Sequence, residues 1–367
     1  MFDRGGSDEH VTRAVAGADQ DQPVRANLRL LLITSLYPTS DRPDAGPFVE
    51  QRVRKARAFG ADVRVVAAKT YRGSVVVRYL RLAFAACTSR GRFDGVETHA
   101  LFPTGLIGMT AARLRSIPHV VYAHGSDVAI SAQRSWLHRR LARLVARSAA
   151  CVVTNSEHTA AIVRRLGVEP HVISPGVDTT HFRPGGRRAA REVTALPQGA
   201  RIALFCGRMI ESKGAVTFAE ALTALDGWLG VMVGSGELVP DIQRRFPAIR
   251  IVGAVPTEAV PVWMQSADVV VVPSHREGLG LVAVEALACG VPVIASRVGG
   301  LVESIQDGRT GILIPPDDAN AIRNALRALE DDDLRGRFAA AAPASIAHHS
   351  LDRSTESMAA LWRSVIG

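Results

Sequence analysis

The sequence has few lysines, few cysteines and no long apolar run. Only three of its 44 basic residues are lysine, and its four cysteines are far apart, without the paired spacing of a zinc site. We therefore expect reduced thiols in a cytoplasmic protein. No apolar run approaches the roughly 18 residues that a transmembrane helix requires, so the sequence predicts no membrane span.

The first 27 residues also lack an apolar segment, and they are polar and mixed in charge. We expect no secretory signal in them and assign residues 1–27 to a loosely ordered tail. The chain as a whole is 47% hydrophobic, which is typical of a folded protein. Its 367 residues exceed the length of about 250–300 at which a single core stops growing, so we predict two domains.

Charge is distributed unevenly along the chain. Residues 1–180 contain 25 Lys and Arg against 15 Asp and Glu, whereas the remainder contains 19 against 20. A basic first half beside a neutral second half indicates an anionic acceptor molecule or contact with an anionic membrane.

Short apolar runs that end in polar or glycine residues alternate with helical patterns, first over residues 28–180 and again after residue 200. This alternation predicts an α/β fold with two Rossmann-like, doubly wound domains. Residues 182–200 are rich in Pro, Gly and Arg and are the predicted linker, which gives domains at 28–185 and 186–352. Sheets of this kind bind ligands at the carboxyl ends of their strands, so the expected site is the cleft between the domains.

Two cations follow the first strand of the second domain. Arg208 and Lys213 belong to "GRMIESKG", a loop that leads into a helix. Cations beside the N–H groups of a helix start form a site for a diphosphate. The alternative is that both are ordinary solvent-facing charges.

Two glutamates surround a predicted helix start in "EGLGLVAVEALACG". Glu277 precedes the glycine-containing loop Gly278, Leu279, Gly280 and Leu281, whose backbone can approach a ligand closely. Glu285 lies about one turn inside the helix. A carboxylate can accept from both hydroxyls of a vicinal diol, so each glutamate can hold one sugar. The alternative is an early glutamate that complements the helix dipole.

The first domain offers candidates at two strand ends. His124 and Asp127 follow a strand in "YAHGSDV", which makes them candidate catalytic residues at the mouth of the cleft. Gly46 in "DAGPFVE" follows the first strand, where backbone can approach a phosphate or a sugar. A structural histidine and a simple turn are the alternatives.

Two charged segments have competing interpretations. Residues 135–149 form a predicted amphipathic helix with apolar Leu137, Leu141, Leu144 and Val145 opposite several arginines. It either lies on anionic lipid or has one core face and one solvated face. Residues 330–333, "EDDD", are interpreted as a solvated helix end and not as a metal site, which leaves no Asp-x-Asp candidate for a cation-dependent enzyme.

These motifs together resemble those of family-4 glycosyltransferases with the GT-B fold. The resemblance extends from Leu28 to near the end of the chain, and its most specific element is the E-x7-E pattern of Glu277 and Glu285. It implies a retaining transferase that takes a hexose or amino-hexose from a nucleotide-diphosphate sugar. It also implies that no metal or other cofactor is needed, and that a final helix at about 353–367 packs back on the first domain.

The resemblance further assigns roles to individual residues. Arg208 and Lys213 would bind the diphosphate, Glu285 the ribose, and Glu277 the hydroxyls of the transferred sugar. The backbone of residues 278–281 would support the sugar and the phosphate.

Three positions complete the implied site. Backbone near Val255 would meet the base, which we expect to be uracil. His124 would contact the sugar near its reacting carbon, and Gly46 would border the diphosphate and the acceptor.

The acceptor stays open at this stage. A small molecule, a glycan or a lipid-linked acceptor of the cell envelope fits the basic first domain, with peripheral membrane contact as a consequence; a secondary metabolite such as an aminoglycoside also fits. A sugar-nucleotide epimerase and a non-catalytic glycan-binding protein are the alternatives from other classes. We expect no nucleic-acid partner, and the sequence leaves the oligomeric state undefined.

Overall fold

The computed structural model describes residues 28–39, 42, 45–70, 72–125 and 136–366. Within them, twelve strands form two parallel six-stranded sheets. The first sheet contains β1 Arg29–Thr34, β2 Asp62–Ala67, β3 Gly95–His99, β4 His119–Ala123, β5 Cys151–Thr154 and β6 His171–Val172. The second contains β7 Arg201–Cys206, β8 Trp228–Val233, β9 Arg250–Gly253, β10 Val269–Val272, β11 Val293–Ser296 and β12 Gly311–Ile314.

Strand order is doubly wound in both sheets. It is β2-β1-β3-β4-β5-β6 in the first and β12-β11-β10-β7-β8-β9 in the second. The central strands are nearly continuous apolar runs, and all four valines of β10 are buried. Strands that are covered on both faces need such runs, because neither face can be polar. The predicted α/β fold with two Rossmann-like sheets is therefore confirmed.

The helices connect successive strands. The first domain contains α1 Pro47–Ala58, α2 Val75–Thr88, α3 Thr104–Arg113, α4 Trp136–Ser148 and α5 Glu157–Arg164, and α6 Arg187–Thr194 begins the second domain. The second half contains α7 Ala215–Thr223, α8 Val239–Arg245, α9 Val260–Ser266, α10 Leu281–Ala288, α11 Leu301–Ser304, α12 Ala319–Ala328, α13 Asp332–Ser345 and α14 Leu351–Ile366.

Alternate residues of β1 divide the first domain into two layers. Leu30 and Leu32 pack with α1 and α14 on one face of the sheet. Leu31 and Ile33 pack with α2 and α3 on the other face. The α4 helix packs on β4 and β5 beside α3. The period of two along a strand thus assigns each helix to one side.

Helix α14 follows the second domain and packs on the first. Lys55 of α1 forms an ion pair with Asp352. The indole N–H of Trp362 donates to Glu97 Oε2 at 3.1 Å. A Cβ atom at Gly95 would lie 2.3 Å from the Trp362 ring, so this strand position must be glycine for the helix to pack so closely.

The predicted apolar face of the helix at 135–149 is wrong in part. Within α4 only Ala142, Val145 and Ala146 are buried, whereas Leu137 and Leu144 are about half exposed. Small residues allow α4 to pack close to the sheet and to α3, which moves the two leucines out of the contact. Among the described residues, no helix combines the length and the apolar character that crossing a bilayer would take.

The "EDDD" segment is a solvated helix end, as predicted, but it begins a helix and does not continue one. Asp332 and Asp333 are the first residues of α13, and Asp331 caps this helix by accepting from the N–H groups of Asp333 and Leu334. Asp332 pairs with Arg335 within the same helix. Acidic side chains at a helix start satisfy its unpaired N–H groups, so their role here is local.

Candidate functional site

The turn before α1 lies at the carboxyl edge of the first sheet, which is the edge at the cleft. Gly46 precedes α1 with φ of 66°, and a Cβ atom there would lie 2.7 Å from the Leu36 carbonyl oxygen. Only glycine fits this left-handed, crowded position. Phe48 in the first turn of α1 packs edge-on against the ring of His124, with centroids 5.0 Å apart. The predicted positions Gly46 and His124 are therefore neighbours.

His124 follows β4 and belongs to a row of polar side chains that extends into the core. Its Nε2 lies 2.7 Å from Nδ1 of His99, and Nε2 of His99 lies 3.3 Å from Glu97 Oε1. Burial, with the nearby charges of His99 and Arg52, holds the pKa of His124 well below its usual range. His124 is therefore a neutral imidazole at physiological pH, suited to hydrogen bonding with a sugar.

Glu97 is the buried anion at the inner end of this row. Burial acts to raise its pKa, but Arg52, His99 and the Trp362 indole outweigh burial and hold the pKa at about 2. Arg52 lies 3.4 Å from Glu97 Oε1. The charge is thus compensated from several elements, as a buried carboxylate requires. Asp127, the other predicted catalytic residue, lies outside the described residues.

The loop after β7 presents the two predicted cations. Arg208 is exposed on this loop. Lys213 lies in a single 3-10 turn that ends at Gly214, whose Cβ, if present, would be 2.0 Å from the Pro273 carbonyl oxygen. The backbone at Gly214 therefore packs directly against Pro273, in the segment that follows β10, and this packing positions the turn that contains Lys213.

Lys213 and Glu277 form an ion pair across these two segments. The lysine Nζ donates to Glu277 Oε1, which also accepts from Ser274 Oγ at 3.1 Å. An ammonium group has three N–H donors, so Lys213 can bind Glu277 and an anionic ligand together. The pair joins two positions that are 64 residues apart in sequence.

The glycine loop after Glu277 is one of the places where the two domains touch. The Gly278 carbonyl oxygen accepts from Ser156 Oγ at 2.7 Å. A Cβ at Gly278 would lie 2.5 Å from the His124 carbonyl oxygen and 2.8 Å from Asn155 Nδ2. Leu279 is buried, and Gly280 has φ of 83° directly before α10. The loop therefore needs glycine for its contact with the other domain and for its turn into the helix.

Helix α10 begins at Leu281, as predicted, and presents Glu285 one turn later. The carboxylate has no hydrogen-bond or ion-pair partner among the residues that the structure describes, and Glu285 is half-buried. Burial raises its pKa to about 8. An unpaired carboxyl group of this kind gains hydrogen bonds when it meets a ligand that donates two hydroxyls.

Val255 lies after β9 at the same edge of the second sheet and is half-buried against its core. The structure thus places the predicted second-domain positions on loops or a helix start at the carboxyl ends of β7, β9 and β10. In the part of the chain that is described, no three His, Cys, Asp or Glu side chains lie together as a metal site would require.

Sequence reasoning missed the residues that hold the domains together. Glu303 of α11 accepts from the backbone N–H groups of Glu157 and His158, at 2.9 and 2.7 Å. Gly299 and Gly300 lie beneath the Glu277 loop, where Cβ atoms would approach backbone oxygens within 1.9 and 2.1 Å. Their position in the chain could have identified them, because these segments also follow the end of a strand or begin a helix.

Comparisons with known proteins agree with this architecture. The family model for Glycosyltransferase Family 4 matches residues 31–181, and the model for Glycosyl transferases group 1 matches residues 200–332. In structure, the chain is similar to sucrose-phosphate synthase from Thermosynechococcus elongatus, with a TM-score of 0.81 and 23% identity over 93% of this chain and 99% of that one. It is also similar to HepE of Anabaena in complex with UDP-glucose, with a TM-score of 0.75 and 19% identity over 92% of this chain and 99% of that one.

Curated relatives are similar in sequence. A D-inositol 3-phosphate glycosyltransferase of Xylanimonas cellulosilytica is 35% identical over 74% of this chain and 72% of its own length. A putative teichuronic acid biosynthesis glycosyltransferase of Bacillus subtilis is 27% identical over 84% of this chain and 90% of its own length. The match to D-inositol 3-phosphate glycosyltransferase 2 of Catenulispora acidiphila, at 34% identity, covers 57% of each chain. This chain is a GT-B glycosyltransferase and belongs to glycosyltransferase family 4.

Proposed function

We propose that this protein transfers a hexose or amino-hexose from a UDP-sugar to an acceptor hydroxyl, with retention of anomeric configuration and without a metal ion. The observation that carries the proposal is the arrangement around α10. Lys213 and Glu277 form an ion pair before the helix, and Glu285, which has no partner among the described residues, lies one turn inside it. The complex of HepE with UDP-glucose supports the choice of sugar donor.

In this proposal the two glutamates bind two different sugars of one molecule. Glu285 accepts from the ribose hydroxyls, and Glu277 accepts from hydroxyls of the transferred sugar. The diphosphate lies between them, against Lys213, Arg208 and the N–H groups of the glycine loop. The backbone near Val255 meets the uracil.

Negative charge develops on the leaving diphosphate during transfer. Positive groups that are already in place lower the barrier, because they need no reorganisation as the charge forms. Lys213 is fixed by Glu277 and by the turn at Gly214, so it is preorganised in this sense. The neutral His124 would donate to or accept from a sugar hydroxyl near the reacting carbon, and the acceptor would attack on the face that the diphosphate leaves.

The acceptor is proposed to be a hydroxyl-rich anion of the cell envelope. The excess of basic residues in the first 180 positions favours an anionic molecule. The names of two relatives contain an inositol phosphate and a teichuronic acid, both of which are anionic.

The first experiment is a thermal-shift screen with UDP-, GDP-, dTDP- and ADP-sugars. A ligand at a hundredfold excess over its Kd stabilises the folded state by about 2.7 kcal/mol, so the bound nucleotide should raise Tm measurably. Glu285→Ala should reduce the shift, whereas Glu220→Ala, an exposed glutamate on α7, is the matched control. Absence of a shift with every nucleotide would contradict the proposal.

A second experiment separates the roles of the glutamates. Glu277→Gln should lower kcat more than it lowers UDP affinity, because its partner is the transferred sugar and not the nucleotide. Equal loss in both would contradict the assignment. NMR of the product should show the anomeric configuration of the sugar donor, and an inverted product would refute the retaining mechanism.

A further inference from the structure

Three neighbouring helices cover one face of the first sheet. The chain moves across the sheet in one direction from β2 to β3, β4 and β5. Right-handed crossovers therefore place α2, α3 and α4 on the same face, opposite to α1 and α14. Contacts join α2 to α3 and α3 to α4, so the three form a continuous layer, which we call the α2–α4 face.

This face carries most of the large apolar side chains that the described residues expose. Nine of twelve such side chains lie on it or at its ends, so their clustering is not the scatter expected of a surface. On α2 the exposed positions recur at helical spacing, with Leu80 64% and Phe84 72% exposed. The nine are Val75, Val76, Val77, Leu80, Phe84, Leu114, Trp136, Leu137 and Leu144.

The charges on the same face have one sign. None of the three helices contains Asp or Glu, and neither does the segment from Lys69 to Arg92. The helices contribute seven arginines, four of them on α4. They are Arg78, Arg81, Arg113, Arg139, Arg140, Arg143 and Arg147.

The position of the apolar residues relates the face to the site. In a parallel α/β sheet, each crossover helix begins at the carboxyl edge of the strands, which is the edge at the cleft. Val75 to Val77 and Trp136 to Leu137 are the first residues of α2 and α4. The α2–α4 face therefore exposes apolar groups beside the first-domain edge of the cleft, where the proposed acceptor would enter.

We propose that the α2–α4 face docks on an anionic phospholipid bilayer, with its apolar side chains in the interfacial region and its arginines at the headgroups. The three helices combine exposed apolar side chains with arginines and contain no Asp or Glu, which matches both the apolar and the anionic headgroup layers of such an interface. A second copy of the chain fits less well, because two α2–α4 faces would place arginines against arginines. The orientation deepens the proposed function by directing the cleft towards acceptors held at the membrane.

Vesicle co-sedimentation of the full chain tests the proposal. Binding is expected to vesicles of phosphatidylcholine with phosphatidylglycerol at low salt, to weaken as salt is raised, and to be weak with phosphatidylcholine alone. Replacing Arg139, Arg140 and Arg143 with Gln should weaken binding by about a hundredfold, since each arginine contributes roughly fivefold.

A matched pair of charge insertions tests the apolar contribution. Leu80→Glu with Phe84→Glu should abolish binding, whereas Val193→Glu, at a position 74% exposed on α6 of the second domain, should leave it intact. Both sites are exposed, so the variants should keep the wild-type melting temperature and the UDP-induced thermal shift. That shift reports the proposed function independently of lipid binding.

Three results would overturn the proposal. The first is no binding of the wild type to anionic vesicles at low salt. The second is vesicle binding that the Leu80 and Phe84 substitutions leave unchanged. The third is a concentration-dependent dimer in sedimentation velocity that these substitutions disperse while vesicle binding is absent, because the face would then bind a second copy.

Discussion

Replacing Glu285 with Gln should change how nucleotide affinity depends on pH. Burial raises the pKa of Glu285 to about 8, so at pH 7 about nine-tenths of the molecules carry it protonated. A ribose diol that donates both hydroxyls favours the ionised carboxylate, because both of its oxygens are free to accept, whereas the protonated group has an O–H that must find an acceptor of its own. Binding of UDP should therefore favour the charged form and release a proton.

The size of the effect follows from the pKa. At pH 7 the wild type should release about 0.8 proton on binding UDP if the ribose lowers the pKa by two units, and about 0.9 if it lowers the pKa further. The apparent Kd should rise about five- to tenfold for each pH unit from pH 8 to pH 6, because the ionised fraction of free Glu285 falls in that proportion. Glu285→Gln should bind UDP more weakly, release no proton from this position and show no such slope.

Isothermal titration calorimetry in buffers of different ionisation enthalpy measures the released proton directly. The titrations should run from pH 6 to pH 8.5, with Glu220→Gln as the control for a surface glutamate. A wild-type affinity that is flat across this range, or proton release that persists in Glu285→Gln, would refute the assignment of Glu285 to the ribose.

The same pKa makes a prediction about stability. A carboxyl group whose pKa is raised on folding destabilises the folded state once the unfolded chain ionises, so stability should fall as pH rises from about 4.5 to about 8. The shift corresponds to at most about 5 kcal/mol. Urea denaturation should show Glu285→Gln gaining stability over the wild type across this window, and a constant difference would contradict the reasoning.

The remaining predictions concern contacts that link the domains. Gly278→Ala should lower kcat/KM at least tenfold, because its Cβ would meet the His124 carbonyl oxygen at 2.5 Å. Gly336→Ala, at a position with open space around it, is the control. Equal activities of the two variants would count against the contact. Glu303→Ala removes two acceptors from the start of α5 and should raise the radius of gyration in X-ray scattering, so an unchanged profile would argue against a role in closure. Trp362→Phe removes a buried hydrogen bond to Glu97 and should cost about 1–3 kcal/mol in urea denaturation, which an unchanged midpoint would disprove.

The sequence predicted the sheets well because buried parallel strands have a local signature. Continuous apolar runs such as that of β10 need no knowledge of distant residues to be recognised. The start of α10 at Leu281 was predictable for the same reason, since the glycine before it and the apolar run after it are adjacent in sequence. Glu285 could then be placed by counting one turn.

Features that depend on tertiary contacts were not predictable in this way. Helical spacing grouped Leu137 and Leu144 with the core, but packing through Ala142 and Ala146 rotates them outwards. Lys213 pairs with Glu277 because the loops after β7 and β10 meet at the same edge of the second sheet, and that meeting is a tertiary contact. The contact of Ser156 with Gly278 depends on the placement of whole domains, for which a local pattern contains no information.

The C-terminal helix connects this domain placement to the chemistry of the cleft. Trp362 donates to Glu97, Glu97 lies beside His99, and His99 is hydrogen-bonded to His124. The indole N–H is one of the groups that keep Glu97 ionised in the core, so undocking α14 would leave a buried charge with fewer partners. Because the backbone of His124 also packs against Gly278, the position of α14 affects the same residues that bring the two domains together.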